Sequence, residues 1–109
     1  MANTFTSYLN KNIPTTGATV VTASGGTQTT VIGLSCANIS TANTITADVY
    51  ITRSAVDYYL VKGATVPIGG ALVVVGGDQK VVIINGDALK VVSSADTTID
   101  VFASVLAIS

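Results

Sequence analysis

Six aspartates, Asp48, Asp57, Asp78, Asp87, Asp96 and Asp100, are the only acidic side chains of this sequence. Acid–base hydrolysis or calcium binding would have to be built from them. A glycosidase needs two carboxylates held at a set separation across the scissile bond. Four of the six, Asp57, Asp78, Asp87 and Asp96, fall at or beside segments that read as turns, where a short carboxylate serves its own backbone. No D-x-D-x-D-G run offers the spaced oxygens of a calcium loop. The aspartates are therefore read as turn residues, and no catalytic residue is assigned.

The chain has no histidine, so no Ser-His-Asp or Cys-His nucleophile can be assembled. Zinc loses its usual nitrogen ligand, and the single cysteine, Cys36, cannot make an internal disulfide or a multi-thiolate site. No metal and no cofactor are expected. Cys36 alternates with Ile32 and Leu34 and reads as a small buried hydrophobe, with no cationic neighbour to activate its thiol. Gly25-Gly26 and Gly69-Gly70 lack the Gly-Lys-Ser/Thr that opens a phosphate loop. The basic residues Lys11, Arg53, Lys62, Lys80 and Lys90 are scattered singly and the net charge is −1, so nucleic acid is not an expected partner.

One cluster remains. Tyr50, Tyr58 and Tyr59 lie within ten residues, with Arg53 between them. Tyrosines give contact area at low entropic cost, so these four residues are a candidate contact patch for a sugar or a protein. The plainer reading is ordinary tyrosines on a sheet surface.

The elements that must carry these residues are strands. Ile45, Ala47, Val49 and Ile51 alternate with Thr44, Thr46, Asp48, Tyr50 and Thr52, a spacing of two that buries one side of a strand. Thr29–Asn38 alternates likewise, and Ser40-Thr41-Ala42-Asn43 between the two reads as a hairpin loop. Further strands are expected at Ala18–Ala23, Asp57–Lys62, Ala71–Val75, Gln79–Ile84, Asp87–Ser93 and Ile99–Ile108. Turns are expected at Ser24-Gly25-Gly26, Pro67-Ile68-Gly69-Gly70, Gly76-Gly77-Asp78, Asn85-Gly86-Asp87 and Ser93-Ser94-Ala95-Asp96. Asn85-Gly86 is the strongest, read as a type I′ hairpin between Gln79–Ile84 and Asp87–Ser93.

Sixteen valines, ten isoleucines and sixteen threonines in 109 residues make a β-sheet composition, and that length holds one domain. About eight strands with no long helix predict an antiparallel β-sandwich over 18–109, with the jelly roll as one arrangement open to it. Residues 1–17 are expected to form an arm or a short helix at Thr4–Asn10. The opening MANTFTSYLNKNIP is not a signal peptide, and nothing downstream reaches the roughly 20 apolar residues of a membrane helix. A soluble, unsecreted protein that does not engage a membrane is expected.

Leu72–Val75, Val81–Ile84 and Val101–Ile108 are apolar at every second and at intervening positions, so both faces need cover. The C-terminal strand, through Phe102, Leu106 and Ile108, is the candidate surface of a homo-oligomer. Leu106 and Phe102 are expected on opposite faces, one toward the core and one toward the partner.

Asn3-Thr4-Phe5, Thr29–Ser35, Tyr59-Leu60-Val61-Lys62 with Pro67, Val75–Lys80, Gly86-Asp87 with Leu89-Lys90-Val91, and the closing strand to Ile108-Ser109 together resemble the small virion structural proteins of tailed bacteriophages, of the kind that infect marine and cyanobacterial hosts. The resemblance runs along nearly the whole chain and rests on strand and turn residues. It implies a stand-alone, non-enzymatic component of the virion, with a capsid-exterior decoration or cement protein as the preferred role. Its partners would be its own copies, as a trimer by family habit, and other virion proteins such as the major capsid protein. A tail, neck or fibre component is the alternative. From another class, a carbohydrate-binding module for host attachment would use the tyrosine group.

Overall fold

The computed structural model describes residues 3–23, 26, 28–76 and 80–108. The strands are β1 (Asn3–Asn10), β2 (Ala18–Thr22), β3 (Gln28–Asn38), β4 (Ile45–Arg53), β5 (Val56–Val66), β6 (Ala71–Val75), β7 (Val81–Ile83), β8 (Ala88–Ser93) and β9 (Ile99–Ile108). They form two antiparallel sheets. The first has the order β1-β9-β3-β6, with β7 also pairing β3, and the second has the order β2-β8-β4-β5. Within these, β4 pairs β5, β3 pairs β6 and β7, β2 pairs β8, and β1 pairs β9. Such nested pairing is one long hairpin rolled up, closed by β9 on β3 and β8 on β4. The sandwich is therefore a jelly roll, in which β6 and β7 share the place of one strand along β3.

Period-two alternation builds the core. Ile45, Ala47 and Val49 of β4, Leu89 and Val91 of β8, and Val101, Ala103 and Val105 of β9 all turn inward and are buried. They meet Val31, Leu34 and Cys36 of β3 between the sheets.

Several expectations need correction. The stretch Thr4–Asn10 is a strand and not a helix, because its Phe5-Ser7-Leu9 alternation suits the edge beside β9 better than one helical turn suits a seven-residue piece. Nor do residues 3–17 stand apart from the sandwich. After β1 the chain crosses from the first sheet to the second, and there Ile13 is wholly buried and donates its N–H to the Ile99 carbonyl at 2.9 Å. In β3 the register shifts between Val31 and Gly33, so Ile32 leaves the buried face that Leu34 and Cys36 share. A glycine at the irregularity is the usual companion of such a bulge.

Neither of the two expected hairpins is one. Ser40–Asn43 carries the chain from β3 in the first sheet to β4 in the second. Asn38 secures it: its side-chain Nδ2 donates to the carbonyls of Asn43 (3.0 Å) and Val66 (2.9 Å), and its Oδ1 accepts from Ser40 N–H (2.8 Å). Likewise Asn85-Gly86 joins β7 in the first sheet to β8 in the second. It is a turn closed by Asp87 N–H on the Ile84 carbonyl at 2.9 Å. Only Gly86, at φ 95°, has positive φ, which excludes type I′. The turn expected at Pro67–Gly70 is present, closed by Gly70 N–H on the Pro67 carbonyl at 3.0 Å with Gly69 at φ 71°. The Ser24-Gly25 part of one expected turn, Gly77-Asp78 of another, the Gln79 strand start and Ser109 lie outside the described residues.

Candidate functional site

The β4–β5 hairpin splits the tyrosine group in two. Residues directly opposite in a ladder share a face, and the pairs here are Tyr50↔Tyr59 and Ile51↔Tyr58. Tyr50 and Tyr59 stand on the outer face of the second sheet, ring centroids 5.0 Å apart and tilted by 40°. The Lys62 ammonium sits over the Tyr59 ring, 4.8 Å from its centroid. Burial raises the Tyr50 phenol above its ordinary value, with Asp57, Tyr59 and Asp48 adding to the shift. Lys90 lies opposite Tyr50 on β8, so this face is polar and charged.

Tyr58 and Arg53 belong to the other side of the hairpin. With Ile51 they line an open hollow of about 300 Å³ at the lip of the sandwich. Arg53 is not free to recruit a ligand there, since its guanidinium is tied to the buried carboxylate of Asp87, Nε to Oδ1 at 2.8 Å and Nη2 to Oδ2 at 2.6 Å. The four proposed contact residues therefore form two unlike pairs and not one patch.

Each described aspartate is engaged by the chain itself. Asp48 accepts from Gly63 N–H, Asp57 from the Thr52 hydroxyl, Asp96 from Thr15 N–H, and Asp100 from Asn12 N–H and Lys11. Asp87 accepts from Ile84 N–H besides Arg53. Only the Asp87 bond to Ile84 N–H and the Asp57 bond to Thr52 are the local bonds expected of turn aspartates; Asp48, Asp96 and Asp100 instead tie together segments distant in sequence, and Asp78 lies outside the described residues. Cys36 is fully buried, and burial pushes its thiol up to about 11, so the inward register expected for it holds.

The outer face of the first sheet gathers several exposed apolar side chains, among them Phe5, Leu9, Val73, Val82 and Phe102. On β9, Val101, Ala103 and Val105 are buried, so Phe102, Ser104 and Leu106 face outward together. Phe102 and Leu106 are four residues apart and share that face, contrary to the expectation of opposite sides, because a period of two returns every even step to the same side. The ladders extend this into rows across the sheet. One row runs Leu9, Phe102, Ser35, Val73, and a second runs Phe5, Leu106, Thr30, Val82. Between them run the small residues Ser7, Ser104 and Gly33, leaving a shallow depression of about 180 Å³ beside Phe102 and Val73. Ile108 continues the face opposite Asn3. Phe5, Leu9 and Val73 are 74%, 68% and 67% exposed, far more than a strand in a closed interior would leave. A Lys11–Asp100 ion pair at 3.3 Å lies at one end of the face.

Phe5, Leu9, Val73 and Val82 were not legible as parts of this surface from the chain alone. Alternation places each on one side of its strand, but only the sheet order brings them beside Phe102 and Leu106. No family model matches the sequence, and neither a curated protein nor a solved structure matches it.

Proposed function

We propose that this chain is a non-enzymatic structural protein of a tailed-phage virion, a capsid-exterior decoration or cement protein that works through protein–protein contact. The carrying observation is the outer face of the first sheet, where Leu9, Phe102 and Val73 form one row and Phe5, Leu106 and Val82 another, each interrupted on β3 by a hydroxyl residue, Ser35 or Thr30. Contiguous apolar patches beyond a few hundred Å² mark contact surfaces on soluble domains. The resemblance supplies the particle, and the geometry supplies the surface that would meet a partner such as the major capsid protein. The lack of His and Glu, and described aspartates already engaged within the chain, argue for assembly over proton transfer.

A tail, neck or fibre position uses the same face and differs only in location. Carbohydrate binding at Tyr50 and Tyr59 is the weaker reading, because a sugar stacks on an open, flat ring face and here the rings are tilted and Lys62 covers one of them.

The test is the position of the protein on whole particles, by labelling or by density, together with a glycan array. Density on the capsid exterior supports the reading. Density confined to the tail moves the protein to the alternative, and specific glycan binding lost in Tyr59→Ala overturns the contact reading in favour of attachment.

A further inference from the structure

A sheet edge is a row of unpaired backbone donors and acceptors, and proteins guard it with bulges, short strands, charges or proline. Three of the four edges here are guarded. β2 carries a register shift between Thr19 and Val21. β5 carries two shifts against β4, with Asp57 and Lys62 along it. β6 and β7 are only five and three residues long. β1 has none of these devices. Its eight residues pair with β9 from Asn3↔Ile108 to Asn10↔Val101 without a shift, and NTFTSYLN holds no charge, no proline and no glycine. Seven of the eight are exposed, so both faces of the strand are open as well as its edge.

The sequence of β1 is also matched to itself. Phe5 and Leu9 stand on the outer face, two residues either side of Ser7. Laid antiparallel on its own copy about a two-fold at Ser7, the strand sets Phe5 opposite Leu9 of the second copy, Leu9 opposite its Phe5, and Thr6 opposite its Tyr8. That register keeps outward residues with outward residues, and the absence of charge in Asn3–Asn10 means that no like charges meet.

We propose that β1 pairs with β1 of a second copy of this chain, antiparallel about Ser7, so that the first sheets of two subunits become one continuous sheet. The apolar rows then run on from Leu9 into Phe5 of the neighbour. The inference deepens the assembly role and rests on it. A strand pair about 27 Å long and about 10 Å deep covers roughly 500–600 Å² over both copies, below the roughly 1,200 Å² of a stable interface. The pairing is therefore weak between free molecules and is strengthened where a particle holds copies side by side.

Single-cysteine cross-linking of the full chain at high concentration tests this, with Cys36 buried and silent. Ser7→Cys is expected to give a disulfide-linked dimer under mild oxidation, mapped to position 7 in both copies. Thr6→Cys and Phe102→Cys are expected to stay monomeric. Phe5→Lys should weaken self-association about tenfold, and Phe5→Lys with Leu9→Asp should restore it, because the introduced charges then face each other across the two-fold. Both sites are exposed, so folding is not at stake. Linkage through Thr6→Cys overturns the Ser7 register. Linkage only through Phe102→Cys overturns edge pairing in favour of face-to-face stacking and leaves the assembly role standing. No linkage in any variant overturns the pairing, and the assembly role is then decided separately by position on the particle.

Discussion

Arg53 and Asp87 clamp the tip of one hairpin to the crossover between the two sheets. The guanidinium holds both carboxylate oxygens, at 2.8 and 2.6 Å, while Ile84 N–H adds a third bond at 3.0 Å. Asp87 is 1% exposed and Arg53 is half in solvent, so the arginine reaches in to neutralise a buried acid at the point where the chain passes from β7 to β8.

That clamp carries a pH signature. The Arg53 hydrogen bond holds the Asp87 carboxyl below its ordinary value against the opposing effect of burial, with Ile84 N–H helping. A group whose folded value is depressed gives stability that is complete above the unfolded value, about 3.9, and lost as pH falls through the folded one. Acid denaturation is therefore expected to steepen below about pH 4, and Asp87→Asn should flatten that limb while lowering stability at pH 7. Denaturant midpoints from pH 2 to 7 check this. Equal pH slopes in the two proteins would count against the clamp.

The loop Ser54-Ala55 joining β4 to β5 has both residues at positive φ, 53° and 64°, which is the type I′ hairpin in a sequence that lacks Asn-Gly. An L-residue in that region costs on the order of 1 kcal/mol. Ala55→Gly is expected to stabilise by about 0.5–1 kcal/mol after its entropic cost, and Ser54→Asn by a few tenths. Chemical denaturation reads the change, and a loss in both variants would show that the turn is not left-handed.

The same loop shows what the chain did and did not disclose. Alternation in Ile45–Ile51 announced which side chains turn inward, and positive φ at Gly86 followed from glycine beside asparagine, whereas Val101–Ile108, apolar on both faces, did not disclose that Val101, Ala103 and Val105 are its inward side. The hairpin at Ser54-Ala55 was invisible because neither residue favours its conformation. Ser40–Asn43 and Asn85-Gly86 looked like hairpin loops because local turn chemistry says that the chain reverses, and is silent on which sheet receives the next strand. That is decided by long-range pairing, β9 on β3 and β8 on β4. For the same reason the tyrosines, near in sequence, part to two faces, while Phe5 and Phe102, far apart in sequence, meet on one.

Gly86 should resist substitution for backbone reasons alone. A Cβ added there meets nothing within 4 Å, yet φ is 95° and its N–H donates to the Ala23 carbonyl at 2.8 Å. Gly86→Val is expected to cost more than about 1 kcal/mol, and Gly86→Asn less. Equal stability of Gly86→Val and wild type in urea titration would remove the left-handed turn.

Cys36 is expected to react slowly with a thiol reagent in the native protein and fast in denaturant, since its thiol is wholly buried and raised to about 11. Cys36→Ser should cost roughly 1–3 kcal/mol by leaving a hydroxyl unpaired in the core, and Cys36→Ala less than Cys36→Ser. Rapid native labelling would place β3 in the wrong register.

The two faces of β9 give the last contrast. Val105 is 1% exposed and sits in the core, whereas Phe102 is 47% exposed among the apolar rows of the outer face. A carboxylate placed at Val105 would be buried without a partner, at a cost of several kcal/mol, comparable to the stability of a whole small domain. Val105→Asp is therefore expected to unfold the protein. Phe102→Asp and Leu106→Asp place the charge on the solvent side of the same strand and should change stability by no more than about 1 kcal/mol. If the outer face is the contact surface, these two variants stay folded by circular dichroism but fail to join particles that lack the native protein. Unfolding by Phe102→Asp with tolerance of Val105→Asp would reverse the faces of β9, and full incorporation of both outer variants would remove the first sheet from the contact.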